Sequence, residues 1–170
     1  MFAGLTTGPA RGAELFEAAV AEARQPHWFI DGQVPDTLDG RFAVLAAIAA
    51  LVTVRLERGG DEGRAGAVAL AERFVEAMDS EHREMGIGDP ALGKKVRKLM
   101  ASLAGRVDRL RAGGAGGGNG DFYEGLVESF YPGAGPPAAE AADHVARELG
   151  ALWSKLERAD DSAVAAGGWR

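Results

Sequence analysis

The stretch VPDTLDGRFAVLAAIAALVTVRL at residues 34–56 decides the fold, because it contains the longest apolar run of the chain. Between residues 42 and 54 only Thr53 is not apolar, and Arg41 and Arg55 bracket the run. Thirteen helical residues rise about 20 Å, well short of the roughly 30 Å of hydrocarbon in a bilayer. A helix that is apolar on every face and this short is typical of a protein core. We therefore predict a central helix over residues 42–56 of an all-α domain.

The polar turn before this run carries the signals for a helix start. Pro35 prevents a helix from entering from upstream, because proline lacks the amide donor and clashes with the preceding turn. Asp36 and Asp39 are both candidate N-caps, since a short carboxylate accepts the free backbone N–H groups of a first helical turn.

The flanking sequence predicts a single-domain bundle of about five to six helices over residues 13–158. Apolar side chains recur at helical spacing in residues 13–24, 64–85, 90–111 and 138–158, and a short helix opens at Asp121. Gly86 and Ile87 are suited to a Schellman ending, and Asp89 and Pro90 to the start of the next helix. We expect flexibility at residues 1–12 and in the Gly-rich linker 112–120, and a disordered tail at residues 159–170.

Composition excludes several kinds of site. The chain of 170 residues has no cysteine, which rules out disulfides and thiolate chemistry, and its net charge of −6 does not suit a general nucleic-acid binder. Residues 1–12 lack the basic and apolar regions of a secretion signal, so we expect a cytoplasmic protein.

No arrangement of residues indicates catalysis. His27, His82 and His144 are far apart in sequence without ligand spacing, and the pattern around His82 predicts a solvated surface residue near Asp79. The glycines near residues 113–118 lack the strand and the Lys-Ser/Thr ending of a phosphate loop. We expect no catalytic residue, no metal and no cofactor.

A basic strip interrupts this acidic chain along residues 94–111, where Asp108 is the one acidic residue. The strip comprises Lys94, Lys95, Arg97, Lys98 and Arg106, with Arg109 and Arg111 beyond them. One interpretation is a solvated helix face. The other is an adaptor that binds the ribosome or RNA, or an anionic membrane, since clustered cations attract phosphates and acidic lipids.

Two motifs carry a resemblance to a known family. VPDTLDGRF at residues 34–42 and DSEHREMGIGDPALGKKVRK at residues 79–98, with ARQP at 23–26 and GR at 105–106, resemble the ubiquinol–cytochrome c chaperone family in its alphaproteobacterial form. The resemblance covers residues 13–111 well. The Gly-rich linker 112–120 and the segment LWSK at residues 152–155 depart from the family pattern.

The resemblance implies a non-enzymatic, all-helical assembly factor for ubiquinol–cytochrome c reductase. Family members in mitochondria bind newly made cytochrome b and associate with the ribosome, so the expected partner is cytochrome b or another subunit of the complex. No specific DNA partner is implied. The expected location is the cytoplasm, with the inner face of the cytoplasmic membrane as a peripheral alternative.

The motif residues have two interpretations. They can serve only the fold, with the turn at 34–41 and the corner at 83–89 fixing helix ends. Alternatively, the turn and the corner form one client-binding surface with Asp36, Arg41 and Arg83 as contacts, beside an apolar groove lined by Trp28 and Phe29.

Overall fold

The protein is all-helical throughout the part that its computed structural model describes, residues 7–113, 121–131, 133 and 135–169. The predicted all-α class is therefore confirmed. In chain order, the helices in these ranges are α1 (Thr7–Ala23), α2 (His27–Ile30), α3 (Leu38–Glu57), α4 (Gly60–Glu84), α5 (Asp89–Ala112), α6 (Asp121–Glu128), α7 (Ala139–Arg158) and α8 (Asp161–Ala165).

α3 is the central helix that its sequence predicts. Every residue of α3 between positions 43 and 52 is buried, and α1, α4, α5 and α7 all pack against it. Its alanines let neighbouring helices approach closely, while Val44, Ile48 and Leu51 fill the space between them. Among the described helices, none combines the length and apolarity needed to cross a membrane.

The start of α3 differs from the prediction in its capping residue. Thr37 is the N-cap, with its hydroxyl accepting a 3.2 Å hydrogen bond from the amide of Gly40. Asp36 precedes the N-cap and its carboxylate accepts a 2.7 Å hydrogen bond from Arg41 Nε, and Asp39 lies within the first turn. Gly40 allows the turn to close tightly, since a Cβ there would lie 1.8 Å from the carbonyl oxygen of Pro35.

The corner between α4 and α5 has the predicted Schellman ending. Gly86 has a φ of +78°, its amide donates to the Arg83 carbonyl, and the amide of Ile87 donates to the His82 carbonyl. These two bonds satisfy carbonyls that the end of a helix would otherwise leave free. Gly88, with extended backbone angles, precedes the first turn of α5.

The prediction of a disordered tail at residues 159–170 is wrong for the residues that the structure describes. They include α8, and Val164 and Trp169 are buried. Arg55 of α3 fixes this segment by donating to the carbonyls of Leu156 and Ala159, at 2.9 and 2.8 Å, and to the carboxylate of Asp161 at 2.7 Å. The sequence conceals this arrangement because more than 100 positions separate the partners.

The structure describes only part of the two other segments for which we predict flexibility, residues 1–12 and 112–120. α1 begins at Thr7, within the segment 1–12 for which we predict flexibility. Gly12 packs on α4, where a Cβ would lie 3.1 Å from that of Ala69. Residues 1–6 and 114–120 lie outside the described residues. Of the predicted linker 112–120, Ala112 is the last residue of α5 and Gly113 is its C-cap.

Candidate binding groove

An open cavity of about 760 Å³ lies at one end of the bundle, where α1 and α4 end and α3 and α5 begin. We call it the end groove. α1, α3, α4 and α5 contribute side chains to it, together with α2 and the turn before α3. The connections place these helix ends together, because the short α1–α3 segment and the α4–α5 corner both cross this end.

The floor of the end groove is apolar and only partly covered. Its main lining side chains are Phe16, Val20, Phe29, Phe42, Met78 and Leu99. All of these except Met78 are half-buried and pack against the core on their inner side. Phe42 also contacts the ring of Phe74, with centroids 5.7 Å apart, which fixes the floor to α4. Partly covered aromatic and aliphatic side chains in a concave site are typical of surfaces that bind apolar segments.

The rim of the end groove carries charges of both signs. Its cations are Arg24, Arg41 and Lys95, and its carboxylates are Asp36, Asp39, Glu81 and Glu84. The hydrogen bond and charge of the Arg41 guanidinium lower the pKa of Asp36, and the same pairing raises the pKa of Arg41. Both side chains are mostly exposed, so the ion pair contributes little to the stability of the fold and mainly fixes the positions of these two side chains on the rim.

The structure brings together most, but not all, of the predicted client-binding residues. Asp36, Arg41 and Phe29 line the end groove. The turn at 34–41 also meets the last turn of α4, which contributes Glu81 and Glu84 to the same rim. Arg83 does not line the groove; it is exposed beside it, and its Nε donates to the carboxylate of Asp79 at 2.9 Å.

Trp28 lies in the core and not on the groove surface. Its side chain is fully buried, its indole N–H donates to the carbonyl of Glu22 at 3.0 Å, and its ring packs on Phe130. The two neighbouring aromatic residues of α2 therefore lie in different environments. Trp28 anchors α2, while Phe29 forms part of the floor of the end groove.

His82 is buried, which corrects the prediction of a solvated surface residue. It lines the end groove, is 2% exposed, and its Nδ1 donates to the carbonyl of Met78 across 2.6 Å. The signal that identifies this residue is its spacing, because it continues the buried series Leu70, Phe74 and Met78 by one more turn. In the described parts of the chain, no group of three or more histidines or carboxylates could bind a metal ion.

The predicted basic strip divides into an outer and an inner part. Lys94, Arg97 and Lys98 are exposed on the outside of α5, whereas Lys95 is half-buried and lines the end groove. Farther along the helix, Arg109 donates to the carbonyl of Gly125, and Arg111 pairs with Glu57. Three cations in the first half of the strip are therefore exposed to solvent, whereas Arg109 and Arg111 in the second half bind other parts of the protein.

Arg106 is buried, and its assignment to the strip is wrong. It is 5% exposed and donates to the hydroxyl of Ser129 at 3.1 Å and to its carbonyl at 3.2 Å. Burial, with a smaller contribution from the charge of Arg109, lowers the pKa of Arg106 to about 10. The helical pattern misplaces this arginine because α6 and the segment after it cover that part of α5.

Comparisons with known proteins identify a sequence family and a related structure. The family described as "Ubiquinol-cytochrome C chaperone" matches residues 31–170. The fold is similar to that in the crystal structure of the Cbp3 homolog from Brucella abortus. The TM-score is 0.75 at 26% sequence identity, and the alignment covers 93% of this chain and 86% of that one. No curated protein matches the sequence.

Proposed function

Because this chain belongs to the ubiquinol–cytochrome c chaperone family, we propose that it is a non-enzymatic assembly chaperone of the cytochrome bc complex. We further propose that its client is newly made cytochrome b, or another subunit of that complex, and that the end groove binds it. Family membership carries the first part of the proposal, and the shape and chemistry of the groove support the second.

The floor of the end groove suits an apolar helix. A helix that binds in a groove presents side chains at i, i+3, i+4 and i+7, and these require a concave apolar floor several residues long. Phe16, Val20, Phe29, Phe42 and Leu99 form such a floor from four different helices. A membrane-protein subunit consists largely of such helices, which expose apolar surface to water until they are inserted.

The rim suits the ends of such a segment. Apolar membrane helices are flanked by charged residues, and cytoplasmic flanks are rich in lysine and arginine. Asp39, Glu81 and Glu84 provide carboxylates at the groove mouth, while Arg24 and Lys95 supply the opposite charge. A client segment could therefore be bound in a fixed direction, with its apolar face on the floor.

The client proposal is tested by a matched pair of variants. Val20 lines the end groove, whereas Val68 of α4 is 60% exposed and lies outside its lining. A strain lacking the gene should fail to accumulate the assembled bc complex. Expression of Val68→Asn should restore it, while Val20→Asn should restore it poorly although the purified variant remains folded. Normal complex levels in the deletion strain would overturn the proposal.

Photo-crosslinking identifies the client directly. A photoreactive residue at position 20 should crosslink cytochrome b in respiring cells, and the same residue at position 68 should not. Equal crosslinking from both positions would argue against the end groove as the client site. Crosslinking of position 20 to a different subunit of the complex would retain the groove and change the client.

A second candidate function is that of an adaptor for an anionic surface, through the outer part of the basic strip. The observation that favours it is that Lys94, Arg97 and Lys98 are exposed on one side of α5. Lys95, their neighbour, lines the end groove, so binding through this face would place the groove next to the surface. The surface could be that of the ribosome, or the inner face of the cytoplasmic membrane to which the protein would bind peripherally.

Charge-neutralised variants test this candidate. Lys94→Gln with Lys98→Gln should weaken binding to vesicles containing anionic lipid by about 30-fold, since each cation near such a surface contributes about 1 kcal/mol. Lys155→Gln with Arg158→Gln removes the same charge from α7 and should change binding little. If purified ribosomes co-sediment with the protein in a salt-sensitive manner and vesicles do not, the RNA surface is the partner. Binding to neither would remove the candidate.

A further inference from the structure

Two histidines that are 117 positions apart in sequence meet between α2 and α7. Nδ1 of His27 lies 3.2 Å from Nε2 of His144, and the two rings contact edge to face. On its other side, Nδ1 of His144 lies 3.0 Å from a guanidinium nitrogen of Arg147. We call His27, His144 and Arg147 the histidine clasp.

The contact with Arg147 determines where the protons of both rings lie. A guanidinium only donates, so Nδ1 of His144 must accept, and a neutral His144 then carries its proton on Nε2. That proton is donated to Nδ1 of His27, whose own proton is on Nε2. Both contacts are satisfied when both rings are neutral. A charged histidine donates from both nitrogens, so protonation of either ring loses at least one contact.

The same reasoning favours a hydrogen bond over a shared metal ion between the rings. A metal there would need both facing nitrogens unprotonated, which moves the proton of His144 to Nδ1. That proton would face the donors of Arg147 at 3.0 Å. The clasp is therefore suited to a neutral hydrogen-bonded pair.

Charged groups face the clasp from α1, from α7 and from the residue after α2, and burial of His27 acts against the carboxylates among them. Glu22 of α1, Asp31 after α2 and Glu148 of α7 each favour a protonated His27, while His144 disfavours it. Burial is the largest influence, and the net result is a lowered pKa for His27. At neutral pH the ring is thus held in the form that the geometry of the clasp requires.

The clasp is one of several contacts that position α2. Trp28 packs on Phe130, the hydroxyl of Tyr131 donates to the carbonyl of Gly32, and Gly32 lies against Val145. These contacts fix the buried side of the segment. The contact of His27 fixes the first residue of α2, two positions before Phe29 in the floor of the end groove.

We propose that the histidine clasp is a proton-sensitive switch that fixes α2, and with it the side chain of Phe29 in the floor of the end groove, when both rings are neutral. Acidification breaks the clasp and loosens this part of the floor. The consequence for client binding rests on the function proposed above, whereas the opening of the clasp does not.

Imidazole nitrogen NMR tests the clasp without any client. At pH 7.5 both His27 and His144 should carry their protons on Nε2. Lowering the pH should titrate His27 below the reference value of about 6.5, and the signals of Phe29 should shift with the same midpoint. An Nδ1-protonated His144 at pH 7.5, or a Phe29 signal that does not respond, would overturn the proposal.

Variants of Arg147 separate the clasp from general electrostatics. Arg147→Ala lets the proton of a neutral His144 move to Nδ1, so that its Nε2 can accept from a protonated His27, and the midpoint of His27 should rise. Arg147→Lys retains a charged donor and should restore the wild-type midpoint, and Arg158→Ala, the matched loss on the same helix, should leave it unchanged. Equal shifts in Arg147→Ala and Arg158→Ala would contradict the clasp.

The effect on the end groove is read from crosslinking at position 20. The yield with cytochrome b should fall about three- to tenfold between pH 7.5 and 5.5, which corresponds to the free energy of one lost hydrogen bond. In His27→Asn with His144→Gln, whose amides can retain the contact without titrating, the yield should not change. An equal fall in this variant would overturn the link to the groove. Absence of crosslinking at both pH values would reject the proposed client, and NMR would still decide the clasp.

Discussion

The two ends of α3 use the same residue type in opposite ways. Arg41 at the start of α3 has 66% of its side chain exposed and pairs with Asp36 on the rim of the end groove. Arg55 near the end of α3 has a side chain only 10% exposed and donates to two backbone carbonyls and a carboxylate of the C-terminal segment. One end of the helix is open, and the other is closed by the chain itself.

The difference teaches how one buried helix can serve both stability and binding. At the closed end, α8 and Trp169 cover the apolar surface, and the cation satisfies backbone groups that would otherwise be buried without partners. At the open end no segment of the described chain covers Phe16, Val20 and Phe29 completely. We therefore expect substitutions at the closed end to change stability and those at the open end to change binding.

The largest expected effect is at the closed end. Trp169→Ala should lower the free energy of unfolding by about 4 kcal/mol, because truncation of a buried tryptophan leaves a cavity. Phe29→Ala, at the open end, should cost clearly less because its side chain is only half-buried. Chemical denaturation of both variants measures the difference. Equal losses would break the comparison of the two ends.

Arg55 should come next. Arg55→Ala leaves the carbonyls of Leu156 and Ala159 without their donor, which we expect to cost about 3 kcal/mol. Arg41→Ala removes an exposed ion pair and should leave the denaturation midpoint nearly unchanged. Proteolysis should also cleave the C-terminal segment faster in Arg55→Ala. A large loss of stability in Arg41→Ala would show that the open end is part of the structural core.

A glycine pair sharpens the comparison within the open end. Gly40→Ala should destabilise by about 1–3 kcal/mol, because the added carbon would meet the Pro35 carbonyl and the turn would have to shift. Gly88, at the neighbouring corner, has open space where a Cβ would lie and a φ of −67°. Gly88→Ala should therefore be neutral or slightly stabilising. Thermal unfolding of the two variants provides the measurement.

The smallest expected effect is the pH response of the rim. Arg41 lowers the pKa of Asp36 below 3.8, so the pair's contribution to stability is complete above that value and is lost as the pH falls through the folded-state pKa. Carboxyl-carbon NMR should give a midpoint below 3.8 in the wild type. In Arg41→Gln the midpoint should return towards 3.8. An unchanged midpoint would show that the pair does not form in solution.

The sequence predicts those features that depend on neighbouring residues. The central helix, the Gly86 ending and the amphipathic α7 are visible because spacing and turn chemistry act over a few positions. The turn at 34–41 is visible for the same reason, although Thr37 and not an aspartate caps the helix. Of the candidate site residues, Asp36, Arg41, Phe29 and Lys95 lie at the end groove.

Two of the failed predictions, for Arg106 and for residues 159–170, share a cause, whereas the four-residue spacing of His82 already indicates burial. Local patterns place Arg106 on the surface and predict disorder for residues 159–170, because Arg106 is charged and the C-terminal segment is rich in small and polar residues. Each becomes buried only when a distant element packs over it or donates to it. The local pattern of apolar residues contains no information on such distant partners. Whether a residue is buried depends on which other parts of the chain pack against it in the folded protein.

The amino-acid sequence alone therefore determined that this chain forms a helical bundle around α3, where the helices end at the corner, and which family it resembles. Tertiary structure decided which cations remain exposed, which histidines meet, and that one end of the bundle is open while the other is closed. The physical reason is the distance along the sequence over which each interaction acts. Helix formation and capping act within a few residues, whereas the end groove, the Arg55 contacts and the histidine clasp join residues brought together only by packing.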